Sequence, residues 1–228
     1  MQRKQFLRYM GTALGAAALT PVLAACGGGE DLASTATTTS TAMTVATSAS
    51  VVTATTLSPE EVAGLKFMRE EEKLAHDVYV ALFDLWGVAV FSQIALSETT
   101  HTEAILALLT KYGIDDPAAG KAAGEFEDPA LQALYNTLIA MGRPNLIGAL
   151  KVGALIEETD IHDINAKKAV TDEADILKVY GSLLCGSRNH LRAFNGQLLA
   201  QGVTYVPQVI TQAEWDAIAN APAETCGG

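Results

Sequence analysis

Four stretches of the chain set carboxylates and imidazoles at helical spacing. They are Glu72-Lys73-Leu74-Ala75-His76-Asp77-Val78-Tyr79, Ser97-Glu98-Thr99-Thr100-His101, Ile156-Glu157-Glu158-Thr159-Asp160 and Ser187-Arg188-Asn189-His190. Glu98 and His101, three residues apart, share one face of a helix. From such a face a carboxylate can bridge two metal ions while the imidazole binds one of them. The pair continues the apolar stripe of Ile94 and Ile105, which turns it inward. Alone, the same spacing also describes a solvated polar turn.

Glu157 is the most informative single position. The inward residues around it read Ile147, Leu150, Ala154, Glu157, Ile161 and Ile164. A carboxylate inside an apolar stripe is desolvated at a cost of several kcal/mol unless a cation or a metal answers it. Arg188 and Arg192 are the candidate cations for a purely structural pair. Glu158 and His162 fall nearer the polar face. In the first helical segment Glu72 is preferred to Glu71, because it lies seven residues, or two turns, before Tyr79. His76, at the edge of that stripe, reads as structural. His190 borders Leu191 and Phe194, and Ser187 stands three residues before it, where a carboxylate would complete the same spacing as Glu98 and His101.

The elements that must carry these residues are helices. Ser58-Pro59-Glu60-Glu61 is a strong helix start, and the helix it opens runs to about Leu85. Its buried stripe is Leu65, Met68, Ala75, Tyr79 and Leu82, with Lys66, Arg69, Glu70, Lys73, Asp77 and Asp84 opposite. A second helix spans about Ser92–Tyr112, a third Asn145–Lys168, and a fourth begins near Thr171 and ends near Gln201. Between the second and third, after a Gly-, Ala- and Pro-rich loop, a shorter helix covers Pro129–Met141. Thr204–Gln208 is extended, and Thr211 caps a last helix over Gln212–Ala219. The fold class is all-α: a four-helix bundle over 58–201 with an extra short helix, then a C-terminal extension over 202–228.

Residues 1–25 read as a leader, with Arg3, Lys4 and Arg8 ahead of an apolar run too short to span a membrane. The run ends Leu23-Ala24-Ala25-Cys26, which looks like a bacterial lipobox and marks Cys26 for lipidation. Arg3-Lys4-x-Phe6-Leu7-Arg8 also resembles a twin-arginine signal with one Arg replaced. Residues 26–57, mostly Ser, Thr, Ala and Val, read as a tether that cannot bury enough surface to order itself. Together these predict a protein of the bacterial cell envelope, held to the membrane through Cys26. The net charge of −11 excludes a nucleic-acid binder. Three cysteines without a CxxC spacing exclude a thiolate zinc site. Cys185 and Cys226 could pair in an oxidising compartment, although two cysteines alone do not establish it.

Four motifs carry a resemblance. They are Met68-Arg69-Glu70-Glu71-Glu72-Lys73-Leu74-Ala75, Ser97-Glu98-x-x-His101, Glu157-Glu158-x-Asp160-Ile161 and Gly186-Ser187-Arg188-Asn189-His190-Leu191-Arg192-Ala193-Phe194. Over residues 58–200 the chain resembles the ferritin-like superfamily and, more closely, the bacterial and archaeal family labelled DUF2202. The resemblance implies a carboxylate metal site, iron first, as a pair of ions, with manganese or zinc open. It makes Glu72, Glu98, His101, Glu157 and His190 the ligands and Tyr79 a hydrogen-bond donor or radical relay beside them. Ser187 departs from the pattern, since a bridging Glu is expected there. Two functions follow as expectations: an oxidoreductase acting on Fe(II) or peroxide, or an envelope bundle without chemistry whose polar residues form a Glu–His–Arg network. Dimers through a bundle face are expected.

Overall fold

Ser58 starts the first helix. Its hydroxyl accepts from the Glu61 amide at 3.2 Å and the Glu61 carboxylate accepts from the Ser58 amide at 2.8 Å, closing a capping box ahead of α1 (Pro59–Trp86). The other Glu61 oxygen accepts from the Thr171 hydroxyl, which ties the far connection of the bundle to the same helix end. Residues 56–226 are described in this computed structural model, and they contain helices and no strand. The expected leader, Cys26 and the expected tether up to residue 55 lie outside the described residues.

The remaining helices are α2 (Ala89–Tyr112), α3 (Pro129–Gly142), α4 (Leu146–Lys168), α5 (Ala174–Ala200) and α6 (Gln212–Ala219). Two starts differ from expectation. α2 begins three residues before Ser92, because Val90 and Phe91 are buried and draw the first turn onto the core. α5 begins at Ala174 because the Thr171 hydroxyl is committed to Glu61, leaving Glu173 at the cap without a side-chain bond.

The helices pair as two hairpins, α1 with α2 and α4 with α5, and pack face to face with α1 on α4 and α2 on α5. The all-α bundle expected from the sequence is the fold observed. α3 lies against α1 and α4. The core runs through all four long helices and includes Leu65, Val78, Leu82, Phe91, Ile105, Leu109, Ile164, Leu191 and Phe194. At Gly153 the chains come so close that a Cβ would stand 2.3 Å from the Phe194 ring, so this position requires glycine.

α4 corrects the amphipathic reading. From Ala149 to Ile161 it has buried residues on every side, and Glu158 is fully enclosed rather than solvated. The cause is the extension after α5, which folds back over α4. Glu158 accepts from the Tyr205 hydroxyl at 2.7 Å and from the amides of Gln208, Val209 and Ile210 at 2.9–3.2 Å. Glu70 and Asp77, expected on the polar face, are buried for a related reason. The loop between α2 and α3 covers them, with Glu70 accepting from the Glu127 and Asp128 amides and Asp77 from the Gly124 amide at 2.8 Å.

Cys185 and Cys226 are joined in a disulfide, which fastens the tail to α5. Glu158→Ala would leave three backbone donors and a tyrosine hydroxyl without their shared acceptor. Unfolding in urea should show a loss of about 3 kcal/mol or more, with Trp215 fluorescence reporting release of the extension.

Candidate metal centre

The middle of the bundle brings together Glu72 and Tyr79 of α1, Glu98 and His101 of α2, Glu157 of α4 and His190 of α5, all buried. Glu98 is shared. Its Oε2 lies 2.7 Å from His101 Nδ1, and its Oε1 lies 2.9 Å from His190 Nδ1. Glu72 Oε2 is 3.1 Å from His101 Nδ1, and Glu157 Oε2 is 3.4 Å from His190 Nδ1. Two groups result, Glu72–Glu98–His101 and Glu98–Glu157–His190, each with donor atoms within 4.8 Å of one another. The imidazole rings lie 5.6 Å apart.

Several side chains fix this arrangement. His190 Nε2 faces the Ser97 hydroxyl at 2.9 Å, a contact that turns Nδ1 toward the carboxylates. His101 is seated against Gly186, where a Cβ would stand 2.5 Å from Nε2. Tyr79 donates to Glu157 Oε1 and is walled in by Phe91 and Phe194, with ring centroids 6.5 and 5.3 Å away. His190 Nδ1, although close to Glu98, makes no well-directed hydrogen bond, and Glu72 Oε1 has no partner at all. Buried polar atoms are nearly always satisfied. An unsatisfied nitrogen from α5 and an unsatisfied oxygen from α1 at this centre fit a divalent cation. The donor set lacks thiolate and suits iron, manganese or zinc.

The description "Uncharacterized protein domain (DUF2202)" matches residues 61–222. The chain belongs to the DUF2202 family. Over 168 residues it is 45% identical to "Uncharacterized protein MJ0754" of the archaeon Methanocaldococcus jannaschii, a match covering 74% of this chain and 91% of that relative. The crystal structure of hypothetical protein MJ0754 superimposes with a TM-score of 0.73, covering 96% of the crystallised chain. This corrects the expectation of a bacterial, lipid-anchored envelope protein. A close relative of the domain comes from an archaeon and crystallised almost entirely as the matched region, which does not fit that location. Among the described residues no helix is long and apolar enough to cross a membrane.

Arg188 and Arg192 do not enter the DUF2202 centre. Both turn outward to Glu224 of the tail, Arg188 through two nitrogens and Arg192 at 2.7 Å, so the alternative of a Glu–Arg pair at Glu157 does not form. Glu71, set aside in favour of Glu72, is buried but stands apart from both groups, nearer Asp163 and Asp160. His76 and His162 pair with their neighbours Asp77 and Asp163 at the rim. Asp160, Ser97 and Gly186 escaped a reading based on apolar stripes. Asp160 repeats the three-residue spacing after Glu157, a signal that was available.

With few cations nearby, protons carry the balance. Burial works to raise the Glu98 carboxyl, but His190 and His101 overcome it and hold Glu98 far below the usual carboxylate range. Burial pushes Glu72 up to about 7 against the pull of His101. Burial opposes the charge on His190, yet Glu157 and Glu98 raise it to about 10. Tyr79 is raised well above its ordinary value by burial and then by Glu157.

These shifts set the pH dependence of the metal-free protein. Glu72 stabilises most below its unfolded value near 4.5, and the contribution is lost as pH rises through about 7. His190 stabilises below about 6.5, and its contribution is lost as pH rises through about 10. Urea midpoints measured with chelator should therefore fall from pH 5 to pH 9; a flat or rising series contradicts the arrangement. Gly186→Ala should displace His101, lowering metal affinity by about 10–100-fold while circular dichroism stays helical.

Proposed function

We propose that this DUF2202 domain is a ferritin-like binuclear metal protein that takes iron and acts as an oxidoreductase on Fe(II) or peroxide. The observation that carries the reading is the division of the two Glu98 oxygens between two carboxylate–imidazole groups. Glu72 and His101 would hold one cation, Glu157 and His190 the other, and Glu98 both. Iron held there would supply the redox chemistry, two electrons from a ferrous pair to peroxide.

The chain's own residues then have distinct tasks. Ser97 keeps His190 Nδ1 turned inward. Tyr79 is a positioning residue, since its hydroxyl holds one oxygen of Glu157 and leaves Oε2 toward His190. Phe91 and Phe194 close that side to water and so strengthen the electrostatic interactions inside.

A second reading is a bundle that keeps the fold without chemistry. The close contacts of Glu98 with two imidazoles favour it, because they neutralise the shared carboxylate without a metal. Anaerobic loading with Fe(II) and elemental analysis separate the two. The metal reading expects two equivalents per chain, one lost in Glu157→Gln with the fold retained. Bound iron below roughly 0.1 equivalent leaves the second reading standing.

A further inference from the structure

Glu98 joins the two groups from α2, and α4 carries a further buried carboxylate one turn after Glu157. Asp160 follows Glu157 by three residues on α4, so the two share a face. Its side chain is buried at 5% exposure. The charges that act on it most strongly are those of Glu72 and Glu157, one from each group, followed by Glu98. One oxygen, Oδ2, accepts from the Ser187 hydroxyl, while Oδ1 has no partner.

Among the described residues no Lys or Arg forms an ion pair with Asp160; the Lys and Arg ion pairs go to Asp116, Asp77, Asp175 and Glu224. A buried carboxylate oxygen left in that state is costly unless a cation meets it. Beside it, Asp160 and Glu71 border a mostly apolar cavity of about 10 Å³ between α1, α3 and α4.

Ser187 explains why the carboxylate comes from α4. It is itself buried and stands one turn before His190, at the spacing by which Glu98 precedes His101. A hydroxyl at that place cannot serve as an anionic ligand, but it can steer one across from the neighbouring helix. We infer that Asp160 is the fourth carboxylate ligand of the centre, binding through Oδ1, with Ser187 holding its other oxygen in place of a carboxylate on α5. This rests on the binuclear reading given above.

Titration with Co(II), followed by calorimetry and by its visible absorption, tests both separately. The wild-type chain should take two equivalents. Asp160→Asn, which keeps the shape and the contact with Ser187 but removes the anion, should weaken one equivalent by more than about 100-fold, beyond the loss expected for a group that only orients a ligand. The exchange Asp160→Ser with Ser187→Glu returns the carboxylate from α5 and should restore the second equivalent. If Asp160→Asn binds two equivalents with wild-type affinity, the role of Asp160 is overturned while the binuclear reading stands. If Asp160→Asn does not fold, the exchange variant decides: two equivalents support the inference, and one overturns it. A wild-type chain that binds no Co(II) sinks both.

Discussion

A carboxylate buried between two imidazoles is the interaction on which the bundle interior depends. Glu98 is fully enclosed, and ionised it would be among the most unfavourable groups to bury. His101 and His190 make it tolerable by approaching one oxygen each, and they approach from α2 itself and from α5. Glu72 and Glu157 then follow from the imidazoles rather than from Glu98, each adding an acceptor from α1 and α4. Four helices are held to one point by a charge that none of them could bury alone. That arrangement also fixes the helix order, because exchanging two neighbours would separate an imidazole from its carboxylate.

A second set of buried acids has a different task. Glu158, Glu70 and Asp77 each accept from backbone amides of an irregular segment, the first from residues 208–210 and the others from the loop ahead of α3. Loops carry amides that no ladder satisfies, and a carboxylate can take several at once. Ten of the 26 acidic residues are thus buried, most of them engaged in loop attachment or in the centre.

The helices and the residues meeting at mid-bundle were legible in the sequence because they obey a simple period. Glu98 and His101 lie in the stripe of Ile94 and Ile105, and Glu157 in that of Leu150 and Ile161. Helix starts were legible where local capping decides them, as at Ser58 and Thr211. The reading failed where a helix is covered on all sides. α4 is enclosed by α1, α3, α5 and the returning extension, so a single stripe could not rank Glu158 or Asp160 against Glu157. It failed again for Arg188 and Arg192, whose partner Glu224 lies more than thirty residues away in the tail. Local periodicity does not report contacts made by a segment with no period of its own.

Cys185, Gly186 and Ser187 follow one another on α5, and each meets a different part of the protein. Cys185 is bonded to the tail, Gly186 makes room for the His101 ring, and Ser187 holds Asp160. A helix turns by about 100° per residue, so these three contacts span most of its circumference within one turn. α5 therefore cannot rotate or slide by a single residue to accommodate a change elsewhere without breaking all three. Insertions that a surface helix would absorb as a shift in phase have no such outlet here.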